Sequence, residues 1–148
     1  MRAKEFMCKD VIYAKPEDNI CTIAKLMNEN HIGSIPICTQ NKEVVGIITD
    51  RDIVLRSVAC DKNPGQTMAS DIMTTNVIKT TPDTDAEAIA GIMKDNQIRR
   101  IPVVQNEQIV GVVSLGNLAQ YRSVSDECLS STLDGVCHTK GTNVKNAE

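Results

Sequence analysis

Apolar positions in this chain follow two spacings that alternate along its length. Val11 to Ala14 is a short apolar run stopped by Lys15-Pro16, which predicts a strand ending in a turn. From Asp18 to Asn30, Ile20, Ile23, Ala24 and Met27 fall at the i, i+3, i+4, i+7 spacing of one buried helix face, with Lys25, Asn28 and Glu29 toward water. Ser34 to Thr39 returns to strand character, and Pro36, which lacks an N–H for a ladder, places that strand at an edge. After Gln40-Asn41-Lys42, Glu43 to Thr49 completes a hairpin. Gly46 in its middle predicts that something approaches the backbone closely, either a neighbouring helix or a ligand. Asp50 to Ala59 then predicts a second helix, with Ile53, Val54 and Val58 as its apolar positions.

The whole pattern is then said again. Met7, Val11, Ile12, Pro16, Ile23, Ala24, Met27, Ile35 and Pro36 recur 66 positions on as Met73, Val77, Ile78, Pro82, Ile89, Ala90, Met93, Ile101 and Pro102. A turn one residue shorter resets the offset to 65, so that Val45-Gly46 becomes Val110-Gly111. The second helix face is Ala86, Ile89, Ala90 and Met93, and Thr84 with Glu87 is a candidate capping box at its start. A repeat of this length indicates duplication. The predicted fold class is α/β (α+β), two tandem copies each ordered strand-helix-strand-strand-helix. The first copy spans 1–62 with a lead-in segment, the second 63–122, and an extension follows over 123–148. In that extension Ser125 to Val136 predicts a short helix with Cys128, Leu129, Leu133 and Val136 on one face, packed back on the copies or onto a second chain. The polar tail from His138 is expected to be mobile.

Composition narrows the picture. The chain has 148 residues, 41% of them hydrophobic and only 2% aromatic, so the core is aliphatic and a bound base finds little aromatic surface to stack on. A formal charge of -3 gives no general attraction to nucleic acid or to an anionic membrane. No segment approaches the roughly 18 apolar residues of a membrane span and the amino terminus lacks a signal-peptide run, so the expected location is cytoplasmic. The six cysteines are scattered and never in a C-x-x-C pair, which reads as reduced thiols, with a disulfide, redox or metal role as the alternative. Cys137-His138 alone is a weak zinc signal, and no metal site is assigned. No catalytic constellation is present, and no enzyme is expected. His31, at a helix end near its negative pole, has a sufficient structural role there.

The order of elements, the repeated Ser34-Ile35-Pro36-Ile37 and Arg100-Ile101-Pro102-Val103, and above all GIITDRDI at Gly46 to Ile53 resemble the cystathionine β-synthase (CBS) domain. Two such domains in tandem form a Bateman module, and the resemblance covers residues 1–122 as a stand-alone bacterial module. It implies two domains packed through their sheets about a pseudo-twofold axis, often dimerised, with adenine nucleotides in clefts between the copies.

Thr49-Asp50-Arg51-Asp52 is where chemistry concentrates. A strand runs into the amino end of a helix there, a place that favours phosphate, and an acid in the first turn suits a ribose. The same residues also make an ordinary helix cap. The resemblance implies that Thr49 and Asp52 hold phosphate and ribose, with Arg51 able to neutralise phosphate. The Arg99-Arg100 pair, standing where the first copy has Gly33-Ser34, has the fork geometry for phosphate oxygens. The expected principal site is therefore Thr49, Arg51 and Asp52, with Val11, Ile12, Ser34, Ile35 and Pro36 as walls and Arg99 or Arg100 completing the charge. Tyr13 is expected to face away from the side that Ile12 faces. A second, weaker site comprises Val77, Ile78, Ile101, Pro102, Ser114 and Asn117, where an amide replaces the acid. The ligand implied is AMP first, then ADP or ATP, with S-adenosylmethionine also to be tested; the protein would be a regulatory homodimer acting on an unidentified target. The rival readings are a homodimeric interaction module without nucleotide and a cysteine-based redox or metal sensor.

Overall fold

The computed structural model of the protein describes residues 1–120 and 126–137. The first copy contains α2 (Ile20–Asn30), β1 (Ser34–Cys38), β2 (Val44–Thr49) and α3 (Asp50–Ile53), preceded by a one-turn lead-in, α1 (Ala3–Phe6). The second repeats them as α4 (Ala69–Ile72), α5 (Ala86–Asn96), β3 (Arg100–Gln105), β4 (Gln108–Ser114) and α6 (Leu115–Gln120). A last helix, α7 (Asp126–Cys137), follows. The tail from His138 and the expected helix start at Ser125 lie outside the described residues.

Each copy holds an antiparallel hairpin, and both hairpins shift register at the same place, beyond Ile37↔Gly46 and Val103↔Gly111. The strand expected over Val11 to Ala14 is reduced to one parallel bridge. Ala14 donates its N–H to Pro36 O at 3.1 Å and accepts from Cys38 N–H at 2.8 Å, while Thr80 does the same between Pro102 and Val104. Lys15-Pro16 turns the chain away after that single residue. Because Pro36 directs its carbonyl at Ala14, its imide nitrogen lies on the side with only this bridge, where no ladder bond is lost.

Helix ends depart from the sequence expectations in small ways. Asn19 rather than Asp18 caps α2, its Oδ1 accepting from Thr22 N–H at 2.8 Å, whereas Asp18 closes the preceding turn on Lys15 N–H. The expected Thr84–Glu87 capping box is not formed. Asp85 occupies the N-cap position without a side-chain bond, and the Thr84 hydroxyl faces Thr81 instead. His31 and its counterpart Gln97 end α2 and α5 in the left-handed conformation, at φ 53° and 55°.

The expected helix Asp50 to Ala59 is α-helical for only its first four residues and widens into a π turn over Val54–Val58. The wider turn rotates the following side chains off the predicted face. Val54 and Val58, expected inward, are 55% and 62% exposed, and Leu55 is 47% exposed. Ser57 is fully buried with no hydrogen-bond partner for its hydroxyl.

Three apolar clusters hold the fold, and the lead-ins are exchanged between copies. Ala69, Ile72 and Met73 pack in the core of the first copy with Ile20, Ile23, Ile35 and Ile48. Ala3, Phe6 and Met7 pack in the core of the second with Ile89, Met93, Ile101 and Val113. Burying Phe6 alone contributes about 2 kcal/mol. Backbone bonds follow the same exchange: Ala3 N–H to Thr84 O and Ala69 N–H to Asp18 O. Met7 lies on Gly111 and Met73 on Gly46, the close approach that the strand glycines predicted. These contacts have their counterparts with the copies reversed, as a pseudo-twofold axis requires. Between the copies, Cys38, Val44 and Ile109 form a third cluster with Val11, Tyr13, Val77 and Val112. Ile12 packs on the first core and Tyr13 on this central cluster, as strand alternation predicted.

The symmetry fails again beyond the repeats. α7 lies on α5, placing Val136 in the second core with Cys128 and Leu129 packed against it. Ala90 is therefore fully buried, whereas its counterpart Ala24, expected on a buried face, is exposed because no described element covers it. Leu133, expected on the inward face of α7, is 47% exposed, and buried Thr132 takes a place there with its hydroxyl bonded to Cys128 O.

Candidate ligand-binding site

Two cavities open between the copies. The larger, about 630 Å³, is within the roughly 300–1,000 Å³ common to small-molecule sites. One wall is the end of β2 and the start of α3. Thr49 Oγ1 accepts Asp52 N–H at 3.1 Å and Asp52 Oδ2 accepts Thr49 N–H at 3.0 Å, so the two side chains fix each other. Asp52 Oδ1 lies 3.8 Å from Arg56 Nε, and Arg56 Nη1 donates to Ile72 O and Thr74 Oγ1. Arg56 thus ties the Asp52 wall to the segment leading into the facing wall. The α-helical residues Asp50–Ile53 run on without a break into the π turn, so the amino end of a helical segment reaching Val58 opens here.

The opposite wall belongs to the second copy. Thr74, Asn76, Val77 and Ile78 form one side of it, Gln97, Ile98, Arg99 and Arg100 the other, and Val136 of α7 reaches in as well. Arg51, Arg99 and Arg100 line the cavity together with Asp50 and Asp52, and Arg56 stands 3.8 Å from Asp52 Oδ1, so positive charge is in excess. Asp50 is partly engaged, its Oδ1 accepting from Arg51 N–H at 2.9 Å. Gly33 leaves room beside it, since a Cβ there would stand 3.0 Å from Asp50 Oδ2.

The smaller cavity, about 90 Å³, is the pseudo-symmetric counterpart, lined by Cys8, Asp10, Val11, Ile12, Pro36, Pro102, Ser114 and Asn117. Asn117 Oδ1 accepts both Ser114 N–H at 2.9 Å and Ser114 Oγ–H at 2.8 Å. The amide therefore keeps the cap but lacks the charge that Asp52 brings.

The expected residues are sorted differently from the sequence reading. Thr49, Arg51, Asp52, Ser34, Arg99 and Arg100 do share the larger cavity, but their apolar walls are Val77 and Ile78, expected in the second site. Val11, Ile12 and Pro36, expected there, line the smaller cavity with Pro102, Ser114 and Asn117. Ile35 and Ile101, expected as walls, are fully buried in the two cores and line neither cavity. The cause is the crossing of the copies: each extended segment runs past the strand end of the other copy. Ser34 and Arg100 border both cavities. Sequence reasoning missed Thr74, Asn76, Gln97 and Ile98, for which the signal was present. They stand 66 positions after Cys8, Asp10, His31 and Ile32. Nothing in the repeat pointed to Val136.

Two crossed copies with hairpins packed at a pseudo-twofold axis define a tandem-repeat α+β pair with its clefts between the repeats. The chain belongs to the CBS domain family, whose model matches residues 3–58 and 69–123. It is 36% identical over 135 residues to the CBS domain-containing protein YhcV of Bacillus subtilis, an alignment covering 91% of this chain and 94% of that one. Among solved structures it resembles the CBS domain pair of protein MJ0100 in complex with 5-methylthioadenosine and S-adenosyl-L-methionine, with a TM-score of 0.73, 29% identity and coverage of 81% and 94%. It also resembles Hypoxic Response Protein I with two coordinated zinc ions, with a TM-score of 0.77, 26% identity and coverage of 82% and 98%.

Among the described residues no three His, Cys, Asp or Glu side chains converge in a metal-holding group, and no disulfide is formed. His138, the partner of Cys137 in the sequence, lies outside them. No helix among the described residues is long and apolar enough to cross a membrane.

Proposed function

We propose that the chain is a regulatory CBS-domain pair that binds one adenine nucleotide in the larger cavity, AMP in preference to ADP or ATP, and performs no reaction on it. The observation that carries this reading is the joining of Thr49, Asp52 and three arginines in one cavity of about 630 Å³. Asp52, partly exposed and already oriented, accepts from ribose hydroxyls; Thr49 and the guanidiniums take the phosphate; Val77, Ile78 and Ile98 give the base an apolar slot. The surplus of positive charge suits a phosphate, and it disfavours the sulfonium of S-adenosylmethionine. That the MJ0100 pair forms a complex with 5-methylthioadenosine and S-adenosyl-L-methionine supports an adenosyl ligand for this chain. The smaller cavity, at about 90 Å³, supports the reading of a single well-formed nucleotide site.

Occupancy changes shape or contacts only through differential affinity for two states. In this reading the protein works in the cytoplasm as a homodimer and passes that change to a target protein. The test is thermal melting with AMP, ADP, ATP and S-adenosylmethionine. AMP at 100 times its dissociation constant should stabilise by about 2.7 kcal/mol. A melt that none of the four moves sinks the reading. The exposed Val54, Leu55 and Val58 support a second reading, a homodimeric interaction module whose cleft stays empty.

A further inference from the structure

The helix α7 lies outside both matched repeats, yet it reaches the larger cavity. Its Val136 is 6% exposed, packs in the core of the second copy and also lines the cavity wall beside Gln97 and Ile98. Ile98 has the same double membership, since it packs against that core and lines the cavity. The helix is seated closely. Gly135 lies against Lys94, where an added Cβ would stand 3.3 Å from Lys94 Cα and collide with its side chain, and Lys94 Nζ donates to Ser131 Oγ at 2.6 Å. The burial of Ala90 against the exposure of Ala24 shows that this covering exists on one copy alone. The smaller cavity receives no residue from α7.

We infer that α7 is part of the ligand site, and that its docking on α5 and occupation of the larger cavity favour each other through Val136. The inference rests on the nucleotide reading above. A ligand filling the cavity touches Val136 only while α7 is docked, so it stabilises the docked state. By linkage, losing the dock weakens the ligand by the same factor. The extension is then the element through which occupancy becomes visible outside the repeats, because it is the piece of chain whose attachment depends on the cavity.

The experiment uses the full chain, with AMP as the probe. Calorimetry gives the affinity of wild type and of Gly135→Val, which crowds Lys94 without adding a group to the cavity. Hydrogen exchange is followed over residues 126–137, with α5 and β3 amides as a check that the second copy stays folded. The expected results are an affinity loss of about fivefold or more in Gly135→Val, and slower exchange in α7 of wild type when AMP is saturating. Wild-type exchange needs no variant, so it decides the matter even if Gly135→Val does not fold. If AMP binds wild type but leaves α7 exchange unchanged, or binds Gly135→Val equally well while α7 is open, the coupling is overturned and the nucleotide reading survives. If AMP does not bind wild type, both fall.

Discussion

Met73, from the lead-in of the second copy, occupies the space that a side chain on Gly46 of the first would need. A Cβ at Gly46 would stand 2.8 Å from Met73 Cγ, and one at Gly111 would stand 2.9 Å from Met7 Cγ and 3.1 Å from Cys8 O. Gly46→Ala is expected to destabilise by about 1–3 kcal/mol in urea unfolding, the usual cost of overpacking. Because the obstacle is a side chain, Met73→Ala in the same chain should recover part of that loss, giving a non-additive cycle. Additive effects would show that the glycine serves some other purpose.

Asp52 and Asn117 occupy equivalent caps, so exchanging one type for the other separates capping from ligand binding. Asp52→Asn keeps an acceptor for Thr49 N–H, as Asn117 keeps one for Ser114. Its melting temperature without ligand should hardly move. AMP affinity by calorimetry should fall about 10- to 100-fold, the loss of a charge-assisted bond to the ribose. Unchanged affinity would assign Asp52 to capping alone.

Cys38 is buried between the copies, and that burial pushes its thiol from 9.0 up to about 11, with the Lys79 ammonium opposing part of the rise. A raised folded value means that the neutral thiol stabilises the fold below pH 9 and that this contribution is lost as pH rises from about 9 through 11. At pH 8 a thiol reagent should modify exposed Cys8, Cys60 and Cys137 and spare Cys38 until the protein unfolds. Equal labelling rates would contradict the packing of the central cluster.

The two helix faces should respond oppositely to the same substitution. Ala90→Glu places a carboxylate beneath α7 and is expected to cost about 3 kcal/mol or more, whereas Ala24→Glu on exposed α2 should stay within about 0.5 kcal/mol. Denaturant midpoints of the two variants make the comparison directly. A costly Ala24→Glu would indicate that α2 is covered in solution.

Val58 and Leu55, exposed by the π turn, are the natural test of self-association. Leu55→Glu with Val58→Glu should convert a dimer to a monomer in sedimentation equilibrium while leaving the fold intact. A wild type that already sediments as a monomer removes the homodimer from the proposed function.

Much of the fold was legible because the repeat reports packing twice. Helix faces such as Ile89 and Met93, both hairpins and the close approach at Gly46 all followed from periodicity and from agreement between copies. The missed features share a cause, since each depends on where distant segments meet. Val11 and Ile12 were placed beside Thr49 because they share its copy, yet the chain crosses over and gives that cleft Val77 and Ile78. The exposure of Val58 goes with a π turn, which leaves no mark in an apolar pattern. The grouping of Thr49 and Asp52 with Arg99 or Arg100 came from the resemblance of the Gly46 to Ile53 segment to the CBS domain, since Thr49 and Asp52 alone make an ordinary helix cap.

The exchanged lead-ins bear on how such a chain arises. Ala3 and Phe6 complete the second core, and Ala69 and Ile72 complete the first, so neither half has a finished interior alone. A ribosome must therefore deliver residues well into the second half before the first can close. A single-copy ancestor with this geometry would have faced the same want and met it with another molecule, each lending its leading turn to its twin. Joining two copies in one chain makes that exchange intramolecular, and leaves the two clefts free to differ, one roomy and one narrow.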